Sequence, residues 1–131
     1  ITPARTVAID EDNPAQHPAI INPVLDSIEA IVMDAMKHLD EPAYLGKLMD
    51  MNHCLLEMLG VGHPQLSRLV LAARSTGAFG AKITGAGGGG CMVALAPKNI
   101  RARIAGAIEV FDGRAIITCI DTEGLRKERD A

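Results

Sequence analysis

Aromatic residues are nearly missing from this chain of 131 residues, which has no Trp, one Tyr and two Phe. An interior built on aromatic packing is therefore excluded, and the 48% of hydrophobic residues predict a core of Leu, Ile, Val, Met and Ala. Charged residues or glycines interrupt the apolar runs well short of the about 18 residues that a membrane-spanning helix needs. No signal-peptide pattern opens the chain. The sequence predicts a single domain over residues 1–131, with no membrane partner.

Basic charge and metal-binding patterns are also sparse. The formal net charge of -3 provides no basic surface for nucleic acid, so no such partner is expected. The three cysteines Cys54, Cys91 and Cys119 fit neither a disulfide framework nor a zinc motif. Free cysteines are usually buried, which predicts three buried thiols in a reducing cytoplasm. The histidines lack metal-ligand spacing such as H-E-x-x-H, and we predict no metal site.

Apolar periodicity predicts four helices and three strands. Residues 1–21 form a poorly defined lead-in, where Pro14, Pro18 and Pro23 argue against a long helix. The first helix is expected to begin at Asn22–Pro23, as a cap residue followed by proline, and to end near Asp40. The later predicted elements are helices at 42–59, 64–76 and 100–111, a strand at 79–84, a buried strand at 91–96 and a last strand at 115–120.

The order of these elements predicts the fold class. Helices come first and a β-β-α-β series follows. This order is typical of an α+β domain of two layers, in which helices cover one face of an antiparallel sheet. The first two helices are additions at the N-terminal side of that arrangement.

A glycine-rich stretch connects the first two predicted strands. Five glycines lie between Gly85 and Gly90, and only Ala86 interrupts them. Ordering five glycines costs about 3–5 kcal/mol relative to alanine, a large part of the roughly 5–15 kcal/mol stability of a domain. Close backbone approach, positive φ angles or both must therefore be required here. An anion held by backbone N–H groups is one interpretation, and a tight hairpin against which another backbone packs is the other.

The residues around the glycines exclude two common nucleotide-binding loops. A P-loop requires Lys and Ser or Thr directly after the last glycine, and this chain has Cys91 and Met92 there. A dinucleotide-binding fingerprint must open a helix, whereas a strand is predicted after Gly90. Lys82 and Thr84 precede the loop and favour a phosphate ligand, although Lys82 is equally consistent with a surface charge at a strand edge.

The segment Lys82–Cys91, K-I-T-G-A-G-G-G-G-C, resembles the third, C-terminal motif of the GHMP kinase superfamily, and most closely that of its mevalonate kinase family. The preceding segment Gly60–Leu66 is also similar to the start of a helix in that family. The resemblance covers Asn52–Leu95 well and is loose before Asn22. It implies a ferredoxin-like C-terminal domain.

The resemblance implies transfer of the γ-phosphoryl group of ATP, with Mg²⁺, to the small alcohol mevalonate, giving 5-phosphomevalonate for isoprenoid synthesis. The family's third motif lies beside the loop that wraps the ATP phosphates, which makes these residues the implied phosphate- and substrate-binding loop: Lys82, Thr84, Gly85, Ala86, Gly87, Gly88, Gly89 and Gly90. Asn52, His53 and Ala86 are the positions to inspect for substrate contacts. A homodimer is a further possible assembly.

Other parts of the family pattern do not occur in this chain. The lysine-containing first motif, the P-x-x-x-G-L-[GS]-S-S motif and the catalytic aspartate belong to the family's N-terminal ATP-binding domain. No Asp or Glu here matches the family's base or magnesium positions, so we expect no catalytic residue in this chain and no activity from it alone. A GHMP kinase with another substrate, such as phosphomevalonate or a sugar, and a stand-alone ferredoxin-like binding or dimerisation module are the alternatives.

Overall fold

Three helices come first in the chain, and a β-hairpin and a fourth helix follow. The computed structural model describes residues 12–85 and 90–120. Short 3-10 helices at Pro14–Gln16 and Lys98–Ile100 precede the first and fourth α-helices. The elements are α1 Pro18–Ala35, α2 Pro42–Met58, α3 Pro64–Thr76, β1 Gly80–Thr84, β2 Cys91–Leu95 and α4 Arg101–Val110. The predicted α+β class is confirmed. In the described ranges, no helix has the length and apolar character needed to cross a membrane.

Helices α2 and α3 lie where the sequence predicts them, because their ends carry strong local signals. Both begin with proline, which has no N–H group to leave unpaired at the first helical position. At the start of α3, Nδ1 of His63 accepts a hydrogen bond from the N–H of Gln65 at 3.1 Å. At its end, Gly77 adopts φ 116°, a left-handed conformation that favours glycine.

Helix α1 begins earlier than predicted. It starts at Pro18, within the predicted lead-in, and Nδ1 of His17 caps it by accepting from the N–H of Ala19 at 3.2 Å. Pro23 lies inside the helix. The expectation that these prolines prevent a long helix was therefore wrong, because Pro18 is at a tolerated position and Pro23 removes only one backbone hydrogen bond. The helix ends at Ala35, before the predicted end.

The core lies between the hairpin and helices α3 and α4. Its members are aliphatic, as the scarcity of aromatic residues predicts. The buried cluster consists of Leu66, Leu69, Val70, Ala73, Ala81, Ile83, Ile104 and Ile108. Burying each large aliphatic side chain stabilises the fold by about 1.5–3 kcal/mol. The core therefore holds β1 against α3 and α4.

Helix α2 approaches β1 so closely that the two backbones touch. A Cβ atom added to Gly80 would collide with the carbonyl group of Gly46, and one added to Gly46 would collide with the carbonyl group of Phe79. Two glycines at the crossing make this approach possible. Helix α2 consequently lies along the edge of β1 that β2 does not occupy.

The hairpin is antiparallel and covered by helices on one face. Lys82 pairs with Val93, and Thr84 pairs with Cys91. These residues lie on the face opposite to the core, where Val93 is 44% exposed and Cys91 is exposed. The prediction of a fully buried second strand was therefore wrong, because helices α3 and α4 cover only the other face. The prediction of buried thiols was also wrong, since all three cysteines are exposed.

Residues 115–120 do not form the predicted last strand. Ile116, Ile117 and Ile120 are 77%, 55% and 88% exposed, and the described sheet contains two strands. The β-branched sequence favours an extended chain, but a strand also needs the edge of a neighbouring strand. The edges of β1 are occupied by β2 and α2, and in the described structure this segment does not pair with the outer edge of β2 either.

Candidate functional site

The glycine-rich loop lies at the tip of the hairpin. The chain leaves β1 after Thr84 and returns at Cys91, and these two residues are paired across the hairpin. Gly85 adopts φ 74°, which a residue with a Cβ atom rarely adopts, and it is exposed together with Gly90. The predicted site residues at 86–89 lie outside the described residues. The described part therefore fixes where the loop begins and ends.

Lys82 and Thr84 lie on the open face of the hairpin, next to the loop. The side chain of Thr84 is exposed, whereas Lys82 is half-buried. Its Nζ donates a hydrogen bond to the carbonyl oxygen of Ile83 at 2.7 Å. Partial burial lowers the pKa of Lys82 below its usual value of 10.5, because burial disfavours the charged form. The structure thus brings together a cationic amine and a hydroxyl beside the loop.

Asp50 and Arg74 bind the outer edge of β1 at Ala81. The N–H of Ala81 donates to Oδ1 of Asp50 at 2.9 Å, and Nη2 of Arg74 donates to the carbonyl oxygen of Ala81 at 2.7 Å. Nε of Arg74 also lies 2.7 Å from Oδ1 of Asp50. That contact is an ion pair and not a hydrogen bond, because Nε has no partner with hydrogen-bond geometry. Ala81 therefore has both of its backbone groups satisfied by side chains.

His53 binds the same edge two residues further along. This residue is 1% exposed, and its Nδ1 accepts a hydrogen bond from the N–H of Ile83 at 3.2 Å. Nε2 lies 3.1 Å from Oε1 of Glu57. Because the backbone N–H is a donor, Nδ1 must be the acceptor, and the proton of the neutral ring is assigned to Nε2.

Glu57 connects His53 to helix α3. Its Oε1 also accepts a hydrogen bond from the hydroxyl of Ser67 at 2.7 Å. This hydrogen bond and the neighbouring His53 lower the pKa of Glu57 below its usual value of 4.5. The carboxylate is therefore ionised at neutral pH and accepts two hydrogen bonds in this position.

Asn52 and His53 are two of the positions that the sequence marks for possible substrate contacts. Both residues are buried, and His53 binds the strand next to the loop. Asp50 and Arg74 were missed. A signal was present, because Asp50, His53 and Glu57 are spaced by three and four residues and so lie on one side of a helix.

The donor set next to the loop suits phosphate oxygens better than a metal ion. Backbone N–H groups, an amine and a hydroxyl donate hydrogen bonds to anions, whereas Mg²⁺ prefers carboxylate and other oxygen ligands. The carboxylates of Asp50 and Glu57, on the helix that borders β1, are engaged by Arg74, Ser67 and His53. In the described ranges, no three His, Cys, Asp or Glu residues are placed to hold a metal ion. These residues do not fit Mg²⁺.

Comparison with known proteins places this geometry in context. Residues 33–111 match the family model described as "GHMP kinases C terminal". Mevalonate kinase of Thermococcus onnurineus is 48% identical over 129 residues, covering 93% of this chain and 38% of that protein. Mevalonate kinase of Pyrococcus abyssi is 50% identical over 118 residues, covering 85% of this chain and 35% of that protein. The chain thus spans little more than a third of the length of these relatives.

A solved structure is also similar. The crystal structure of L. major mevalonate kinase in complex with R-mevalonate matches with a TM-score of 0.69 and 34% identity, covering 72% of this chain and 30% of that one. The sequence match and the structural match therefore agree with the family resemblance of the segment Lys82–Cys91.

Proposed function

The chain belongs to the GHMP kinase C-terminal family, and from that premise we propose that it is the C-terminal part of a mevalonate kinase. The parent enzyme transfers the γ-phosphoryl group of ATP to the hydroxyl group of mevalonate, giving 5-phosphomevalonate for isoprenoid synthesis. The support for this substrate comes from relatives named mevalonate kinase and from a similar structure solved with R-mevalonate.

One observation carries the proposed role of this part of the enzyme. The glycine loop stands at the tip of the hairpin, and Lys82 and Thr84 lie beside it on the face that the described helices leave open. Phosphoryl transfer depends mainly on positioning and on stabilising negative charge. We assign the predicted loop residues, from Gly85 to Gly90 together with Lys82 and Thr84, to binding of the phosphoryl group and its acceptor.

This proposal places the remaining machinery elsewhere in the parent protein. ATP supplies the phosphoryl group, and Mg²⁺ is expected as its counter-ion. The described carboxylates Asp50 and Glu57 are held by Arg74, Ser67 and His53, so we assign no magnesium ligand and no base to them. An N-terminal kinase domain of the same protein is therefore the proposed partner of this domain and the source of the catalytic groups.

A comparison of the full-length protein with the chain of 131 residues tests the proposal. We expect the full-length protein to form ADP only when mevalonate is added, and the shorter chain to form none. Circular dichroism of the shorter chain checks that it is folded when its activity is measured. Mevalonate-dependent turnover by the folded shorter chain would contradict the assignment of catalytic groups to the other domain.

A substrate panel separates mevalonate kinase from its alternatives. The full-length protein is assayed with mevalonate, phosphomevalonate and galactose at equal concentration. We expect kcat/KM to be highest for mevalonate. A higher value for either of the other compounds would assign the protein to a different kinase of the same superfamily, and no turnover with any of them would favour a binding or dimerisation module.

We further propose that the parent works in the cytoplasm and forms a homodimer. Three exposed thiols, Cys54, Cys91 and Cys119, suit a reducing compartment. Val32 and Met33 on α1 and Met36 just after its end are exposed apolar side chains, and they provide a surface that a second domain or a second copy would cover. Sedimentation of the full-length protein measures the proposed dimer, and a monomer at micromolar concentration would contradict it.

A further inference from the structure

Four side chains satisfy the outer edge of β1 in place of a neighbouring strand. The outward-facing backbone groups are the N–H and carbonyl of Ala81 and of Ile83. Their partners are Asp50, Arg74, His53 and Lys82, at 2.7 to 3.2 Å. Two of the partners come from one turn of helix α2. The glycine contact between α2 and β1 is what brings that turn within hydrogen-bonding distance.

We propose that His53 and Asp50 are positioning residues, which fix the place of the glycine loop by holding the edge of β1. The inference rests on the proposed phosphoryl-transfer function. The hydrogen bond to Ile83 lies two residues before Gly85, where the loop begins. Glycine has no side chain with which to pack, so the placement of Gly85 depends on the strand that precedes it.

The effect on turnover follows from the geometry of phosphoryl transfer. Reacting atoms must be held within a narrow range of distance and angle, and a misplacement of about 1 Å lowers the rate by about 100-fold. His53 is suited to holding a strand because it is buried, and Glu57 fixes the opposite side of its ring. A shift of His53 is therefore passed to Ile83 and from there to the loop.

Two substitutions separate the hydrogen bond from the packing of the ring. In His53→Asn, the side-chain oxygen takes the place of Nδ1 and accepts from Ile83. In His53→Gln, the longer amide takes the place of Nε2 and reaches Glu57, but no atom replaces Nδ1. Both variants lose the ring and are expected to lose similar stability. They differ in the hydrogen bond to the strand.

The experiment measures kcat, both KM values and amide hydrogen exchange in the full-length protein. We expect His53→Gln to lower kcat by about 10- to 100-fold at saturating substrates, while His53→Asn keeps most of the wild-type kcat. Exchange at the amide of Ile83 should rise by about 2- to 10-fold in His53→Gln relative to His53→Asn. The same two changes at His38, which pairs with Asp34 on α1, are the control and should leave kcat unchanged.

Asp50→Asn provides a second, independent test. The amide oxygen still accepts from Ala81, but the ion pair with Arg74 is lost. We expect a smaller fall in kcat than in His53→Gln, since the hydrogen bond to the strand remains.

Equal kcat values for the two His53 variants at equal folded fraction would overturn the proposal, whatever their stability. So would a kcat change in His53→Gln without increased exchange at Ile83. The exchange measurement needs no substrate, so it remains informative if the protein does not phosphorylate mevalonate. If the full-length wild-type protein does not phosphorylate mevalonate, the proposed function is contradicted. If the exchange rate at Ile83 is the same in His53→Gln and His53→Asn, this inference is contradicted.

Discussion

Gly85 and Gly60 form a matched pair for testing what the glycine loop does. Gly85 has φ 74° at the start of the loop, and Gly60 has φ 78° after the end of helix α2. A Cβ atom added at either position meets no described atom within 4 Å. Substitution by alanine therefore introduces the same backbone strain at both positions without a steric clash, and only one of the two positions lies at the candidate site.

The expected loss of stability can be worked out from the backbone alone. A residue with a Cβ atom in the left-handed region loses about 1–2 kcal/mol, and the reduced freedom of the unfolded chain offsets about 0.4–1 kcal/mol of that. Gly85→Ala and Gly60→Ala should thus each lower the free energy of unfolding by about 1 kcal/mol. Urea unfolding of the full-length protein, monitored by circular dichroism, measures both values.

Turnover should separate the two variants. Gly85→Ala changes the direction in which the chain leaves β1, so we expect kcat for mevalonate phosphorylation to fall by about 10-fold or more. Gly60→Ala should keep the wild-type kcat. If the two variants lose equal stability and retain equal kcat per folded molecule, the loop is a structural turn and the assignment of Gly85 to the phosphate site is refuted.

Three further predictions concern the crossing of α2 with β1, the carboxylate of Glu57 at the end of α2, and the thiol of Cys91 beside the glycine loop. Gly80→Ala should lower the free energy of unfolding by about 3 kcal/mol or more, because the added Cβ atom would collide with the backbone of Gly46. Urea unfolding measures this loss of stability. A loss below about 1 kcal/mol would contradict the described contact. The hydrogen bond from Ser67 holds the pKa of Glu57 below 4.5. The contribution of this hydrogen bond to the free energy of unfolding is therefore complete above pH 4.5, and it disappears as the pH falls through the lowered pKa. Ser67→Ala should therefore be less stable than the wild type by about 1 kcal/mol or less at pH 7, and this difference should shrink as the pH falls below 4.5. A difference that does not change with pH would contradict this origin. In the full-length protein with every cysteine except Cys91 replaced by serine, Cys91, exposed beside the loop, should react with a maleimide more slowly when ATP is bound. An unchanged rate would argue against nucleotide near the loop.

Local signals in the sequence account for the elements that were predicted correctly. Proline at the start of α2 and α3 and glycine at the end of α3 mark the helix boundaries, and the glycine run marks the hairpin. Helix α1 begins earlier than the sequence predicts, because Pro18 and not Pro23 is its first residue. The first proline lies where the helix tolerates it, and Pro23 removes one hydrogen bond from a helix of 18 residues.

Contacts between distant residues account for the features that were missed. The β-branched segment at 115–120 has the composition of a strand. Whether a sheet edge is free to pair with it depends on other parts of the chain, so the sequence of the segment does not reveal it. In the same way, His53 is separated from Ile83 by 30 residues, and Asp50 is separated from Ala81 by 31. Their pairing depends on the crossing of Gly46 and Gly80, which periodicity within single elements does not reveal. Lys82 and Thr84, at the end of β1, were predicted as site residues because they adjoin the glycines in sequence.

The side chains along β1 also determine how copies of this sheet can associate. A sheet with two open edges can add strands on both sides and extend into a fibre. Here the backbone groups at the outer edge of β1 are already bonded to side chains, so a strand from another chain finds no donor or acceptor there. Edge-to-edge pairing at this sheet can then involve only β2, and two copies that pair through β2 have no described edge left for a third. Association through this sheet therefore closes at two chains and does not propagate.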